Sequence, residues 1–284
     1  MKLNVVSVSQ KSDYLFCFSF VVCLLLFMAV AKSSAQQSIK RIDGTKISSD
    51  SLTKYLPELM RKGKVAGLGM TIFNQNHIVY KETFGYSRAD QKKALKSTTN
   101  IYGASLSKSV FAVLVMKLVE QGKLDLDKPL QQYLPKPIYE YKHQKRWHND
   151  FSSLKGDTLY TKITARICLD HTTGFANWRW DIADQKLRVL QIPGKRYSYS
   201  GEGMVYLQVV IEKLLGKSLE QLADELIFAP LKMKNSAYTF LRSFEQDYSL
   251  GHDEKGGIYE KDNEARSAST LETSLDDLSL FFKV

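Results

Sequence analysis

A serine at the start of a helix with a lysine three residues on has the makings of a nucleophile beside a proton acceptor, because the two share one helix face. This chain of 284 residues carries that spacing three times: Ser51 with Lys54, Ser105 with Lys108, and Ser152 with Lys155. The spacing alone is cheap, so the surroundings must choose. Ser51 opens the run 51–64, where it reads as a helix N-cap. Ser152 lies in a polar stretch beside Gly156-Asp157, with nothing to fix a nucleophile or exclude water. Ser105 follows Tyr102-Gly103-Ala104 and opens the most apolar helix outside the first residues of the chain. Unpaired amides and partial positive charge at a helix start favour a developing oxyanion. Ser105 is therefore the candidate nucleophile and Lys108 the candidate proton carrier. By itself the motif fits equally well a Ser105 that caps its helix beside a solvated Lys108.

A second feature is Pro193-Gly194-Lys195-Arg196-Tyr197-Ser198-Tyr199-Ser200-Gly201-Glu202-Gly203, which runs straight into an apolar helix. On these residues the chain resembles the class C β-lactamase, DD-peptidase and esterase superfamily, whose second motif is Tyr-x-Asn after a Pro-Gly turn. Tyr199-Ser200-Gly201 falls on that motif, and the resemblance implies that Tyr199 is the catalytic base or proton relay. Two other readings compete: a core tyrosine with a satisfied hydroxyl, and a role for Tyr197, which shares the face if the stretch is extended. The resemblance continues through 118–127, Tyr133-Leu134-Pro135, 163–175, Ala229-Pro230-Leu231 and Leu250-Gly251-His252. It implies that His171 belongs to a structural turn and not to a triad.

Two departures matter. Gly201 stands where the family has asparagine, which removes a substrate-side amide and suits an esterase- or peptidase-like hydrolase better than a β-lactamase. A third motif, Lys-Thr-Gly or His-x-Gly on a late strand, is not found. Lys255-Gly256-Gly257 comes too early, and His171-Thr172-Thr173-Gly174 is one residue too long. The expectation is a chain truncated before that motif, its C-terminal strands missing, and not by itself a competent enzyme.

Such a site needs a frame. Runs rich in β-formers at 66–73 and 78–84 flank Asn74-Gln75-Asn76-His77 and read as a hairpin. Helices are expected over 51–64, 110–121 with Gly122 as C-cap, 203–215 closed by Gly216, from Ser218 towards 228, and over 274–284. Residues 136–161 read as a loose surface insertion. Strands followed by helices without βα alternation give an α/β fold with an antiparallel sheet flanked by helices. The resemblance adds a mostly helical second lobe, and residues 36–284 are expected to form one hydrolase domain.

Lys2 and Lys11 precede the apolar run 15–31, and small residues follow at Ser33 and Ala35. That layout predicts a secretory signal over 1–35 and a periplasmic or extracellular protein. An uncleaved membrane anchor is the alternative, since the run approaches the about 18 residues of a span. Cys168 is alone outside this leader and reads as a buried packing residue. With 44% hydrophobic and 25% charged residues the chain has the composition of a globular protein with a real core. Its net charge of +10 fits attraction to anionic cell-wall polymers or membranes, or simply a solvated basic surface. No aromatic-basic motif points to nucleic acid. The expected function is acyl transfer to water on an amide or ester, with a β-lactam, a peptide with D-residues or a simple ester as substrate. That chemistry calls for no metal or organic cofactor. A non-catalytic homologue that binds cell-wall peptide or acts as a sensor is the reading from another class.

Overall fold

The computed structural model describes residues 38–142, 150–251 and 263–283. The expected signal over 1–35, together with His252 and Lys255-Gly256-Gly257, lies outside them. The chain divides into two compact units after Leu56. In the first, β1 (Ser38–Lys40) pairs antiparallel with β2 (Lys46–Ser48), setting Ile39 opposite Ile47. Helix α1 (Ser49–Gly63) follows at once and carries Pro57 inside it. The cap sits three residues earlier than expected: the Ser51 amide donates to Ser48 Oγ at 3.1 Å.

The second unit holds the candidate site residues. β3 (Gly67–Asn74), β4 (His77–Arg88) and β5 (Lys93–Ala94) form an antiparallel sheet in that order. Gln75 and Asn76 turn the hairpin at φ 48° and 61°, the left-handed pair that matches strand twist. β6 (Ile101–Tyr102) leads into α2 (Leu106–Glu120), the expected apolar helix, which ends before Gly122. After α3 (Ala165–Leu169) come α4 (Gly201–Leu215), α5 (Leu219–Ala223), a π turn over Asp224–Phe228 and α6 (Ala229–Leu231). Ser200 caps α4 by accepting the Gly203 amide, and Gly216 closes it at φ 65°. Finally β7 (Glu272–Thr273) pairs antiparallel with β6, and α7 (Leu275–Phe281) packs on the hairpin sheet through Leu275 against Gly69. The hydroxyls of Thr71 and Ser279 meet there at 2.8 Å.

One core joins α2 and α4: Phe111, Leu114 and Leu118 from the first, Tyr206, Leu207 and Val210 from the second. Burying side chains of this size contributes about 1.5–3 kcal/mol each, which holds both helix starts in place. The described parts of the expected insertion, residues 136–142 and 150–161, are not loose on the surface, because Ile138, Phe151, Leu154 and Tyr160 are buried to 3% exposure or less. Ile138, Leu154 and Tyr160 sit on short 3-10 turns and Phe151 just before one, so their spacing follows neither helical nor strand period. Cys168 is buried in the same core, as expected.

Candidate active site

Ser105 stands at the N-cap of α2 on a tightly pinned turn. Ala104, just before it, has φ +43°, a left-handed conformation that a residue with a Cβ adopts only at a cost. What holds it is Ser107. Its hydroxyl donates to the Ala104 carbonyl at 2.5 Å and accepts the Leu271 amide at 2.9 Å. The Gly103 amide donates to the Leu271 carbonyl at 2.7 Å, and the buried Tyr238 hydroxyl donates to the Ser107 carbonyl at 2.9 Å. The helix-start amides expected to be free are largely taken. Leu106, Ser107 and Lys108 donate to the carbonyls of Gly103, Ala104 and Ser105 at 2.9, 3.1 and 3.1 Å. The amide of Ser105 itself has no partner among the described residues, and it is the one beside the candidate nucleophile.

Lys108 is buried, not solvated, at 8% exposure. Its ammonium donates to the Ala268 carbonyl at 2.6 Å and to Ser105 Oγ at 3.2 Å. Tyr199 arrives from the start of α4, its hydroxyl donating to Ser105 Oγ at 2.9 Å. Lys108 Nζ also lies 4.7 Å from the centre of the Tyr199 ring. Burial by itself pushes the Tyr199 phenol up. Hydrogen bonding with Lys108 and Ser105, and the Lys108 charge, outweigh it and hold the phenol below its usual value. Three groups able to carry a proton thus meet at one oxygen. Among the described residues, no three His, Cys, Asp or Glu side chains gather as metal ligands would.

The competing residues have other surroundings. Tyr197 is 65% exposed, and its ring meets His171 edge-on at 6.0 Å. Ser51 is exposed on the first turn of α1, and the Ser152 amide closes a local turn by donating to Asp150 Oδ1 at 2.9 Å.

Gly201, the departure from Tyr-x-Asn, has a packing cause. A Cβ there would fall 2.6 Å from the Trp178 ring, so the indole occupies the space that a side chain would need. Trp178 in turn stacks on Trp180, ring centres 4.5 Å apart. The loop bearing both is tied to α4 by a bidentate pair. The Arg179 guanidinium donates to Glu202 at 2.8 and 2.7 Å, and the Arg179 amide adds a bond of 2.9 Å. Both side chains are at most 3% exposed.

Three participants were not singled out from the residue pattern: Ser107, Ala268 and Trp178. Residues 267–270 are a run of small and hydroxyl side chains without helical or strand period, and that smallness is the one signal of a close approach.

Residues 52–283 match the family described as Beta-lactamase. The human mitochondrial serine beta-lactamase-like protein LACTB is 27% identical over 238 residues, covering 83% of this chain and 38% of that protein. The D-alanyl-D-alanine-carboxypeptidase/endopeptidase AmpH of Escherichia coli is 23% identical over 227 residues, covering 76% of this chain and 57% of its own. Thus the chain spans well under two thirds of the length of either relative. Among solved structures, the D-alanine carboxypeptidase AmpC from Burkholderia cenocepacia superposes with a TM-score of 0.67 at 20% identity, over 82% of this chain and 63% of that one. The shared fold is the α/β arrangement of antiparallel sheet and helices described above.

Proposed function

The chain belongs to the Beta-lactamase family, and from that premise we propose that it is a serine hydrolase working through an acyl-enzyme on Ser105. One observation carries the reading: Ser105 Oγ lies 2.9 Å from the Tyr199 hydroxyl and 3.2 Å from Lys108 Nζ. In the proposed step Oγ bonds to the carbonyl carbon of an amide or ester as its proton passes to the Tyr199–Lys108 pair. The same pair returns that proton to the leaving nitrogen or oxygen as its bond to carbon breaks. Water then bonds to the acyl carbon, giving up a proton to the pair, and as the carbon–Oγ bond breaks the pair passes that proton to Ser105 Oγ. The Ser105 amide, which has no partner among the described residues, is the donor proposed for the oxyanion. The lowered phenol of Tyr199 supports its use as the acceptor. A cell-wall peptide, a β-lactam or a simple ester fits this chemistry. The proposal includes export through residues 1–35, resting on their basic start and apolar run.

A fluorophosphonate probe should label Ser105, and Ser105→Ala should abolish that labelling. Lys108→Ala and Tyr199→Phe should each slow acylation by at least about 10²-fold, a typical general-base contribution, with much smaller effects on the melting temperature. Labelling that persists in Ser105→Ala, or maps to Ser51 or Ser152, refutes the assignment. Full activity in Tyr199→Phe with loss in Tyr197→Phe would move the role to the other tyrosine.

A further inference from the structure

His171 does form the turn expected of it, with φ +59° just beyond α3. Its contacts go further. The His171 carbonyl accepts the Ser198 amide at 2.8 Å, and its Nδ1 accepts the Ser200 amide at 3.1 Å. One residue thus holds the backbone on both sides of Tyr199. The imidazole also lies under the Tyr199 ring, centres 4.5 Å apart and planes inclined by 35°. Tyr199 needs such support, because its side chain is 39% exposed and core packing alone does not fix it. Accepting an amide at Nδ1 sets the tautomer: the neutral ring carries its proton on Nε2.

We infer that His171 is a positioning residue for Tyr199, and that its neutral ring keeps the phenol on Ser105. The inference rests on the reading of Tyr199 as proton carrier. A proton on Nδ1 would set a donor against the Ser200 amide and break that bond. It would also place a cation in the group formed by Lys108 from α2, Asp170 in the turn itself, and Tyr197 and Tyr199 from the loop before α4. Burial first, then the Lys108 charge, push the imidazole below its usual value, with Asp170 opposing. The ring therefore stays neutral, and Tyr199 in place, to a lower pH than an ordinary imidazole would allow.

The test uses the full 284-residue chain with tyrosine labelled by carbon-13 at Cζ. The Tyr199 signal is assigned by its loss in Tyr199→Phe and followed from about pH 8 to pH 4, alongside the rate of fluorophosphonate labelling. Wild type should show one step with a shared midpoint below about 6.5 in both readouts. His171→Gln, whose amide oxygen accepts the Ser200 amide but does not titrate, should lose that step. It should also label faster at pH 8 than His171→Phe, which keeps a ring but no acceptor. A wild-type Tyr199 signal without a step, or a step that survives in His171→Gln, overturns the inference. A Tyr199 step with no labelling of Ser105 at any pH would support the positioning role and sink the hydrolase reading instead.

Discussion

Removing the carboxylate of Glu202 should be the most damaging single change near the site that touches no reacting group. Arg179 and Glu202 are at most 3% exposed and share two side-chain bonds of 2.7 and 2.8 Å. Glu202→Ala leaves a buried guanidinium without its counter-charge, a loss of about 3–5 kcal/mol. In a unit of this size each kcal/mol moves the melting temperature by about 2–4 °C, so a drop of about 6–20 °C is expected. The reason is the desolvation of a charge that Glu202 had balanced, more than the attraction lost. The Arg179→Met/Glu202→Leu double variant separates the two, because it removes both charges and refills the space. It still strips partners from the Arg179 amide and the Asp150 carbonyl, bonded at 2.9 and 2.5 Å, at about 1–3 kcal/mol each where buried. Glu202→Ala strips the Arg179 amide as well and leaves the guanidinium buried, so the double variant should melt above that single. Thermal melts followed by circular dichroism at neutral pH give the ordering directly. A Glu202→Ala chain that melts within about 3 °C of the parent refutes the argument, as does a double variant that melts below the single. Because Glu202 lies three residues after Tyr199, labelling of Ser105 should slow in the same variant at temperatures well below its melt.

Two further outcomes follow from packing and from charge. Gly201→Ala should destabilise by about 1–3 kcal/mol, since its methyl would collide with Trp178 2.6 Å away, and the cost should shrink in a Trp178→Leu background. Equal melting shifts for Gly201→Ala in the two backgrounds would remove Trp178 as the cause. Burial raises the Glu220 carboxyl above its ordinary 4.5, despite hydrogen bonds from Tyr238 and Thr239. A raised folded value contributes stability below the ordinary range that is lost as pH rises through it, so ionised Glu220 is a burden at pH 7. Glu220→Gln, which can still accept the Tyr238 amide, should melt higher than the parent at pH 7 and converge with it below about pH 4.5. A lower melt at pH 7 would contradict this.

Much of what short-range rules govern was present in the residue order, the start of α1 excepted, which is capped at Ser48 and not Ser51. The hairpin at 74–77 follows from left-handed turn residues between β-formers, and the ends of α2 and α4 follow from Gly122 and Gly216. Ser105 and Lys108 could be paired because three residues along a helix are neighbours whatever else the chain does. The resemblance added Tyr199. What no local rule could decide was which of three serines meets a tyrosine, and which of two tyrosines that is. Ser105 and Tyr199 are 94 positions apart and Lys108 and Ala268 160, and those meetings exist only because α2 and α4 share one core and β6 pairs with β7. The burial of Ile138, Phe151 and Leu154 escaped for the same reason, since 3-10 turns impose no period that marks a buried face. His171 could be read as a turn from its neighbours, but its hold on both sides of Tyr199 depends on a segment 27 to 29 residues later folding back beside it. Backbone geometry acts over a few residues, while a hydroxyl, an amine and a phenol converge only through packing that closes long loops around them.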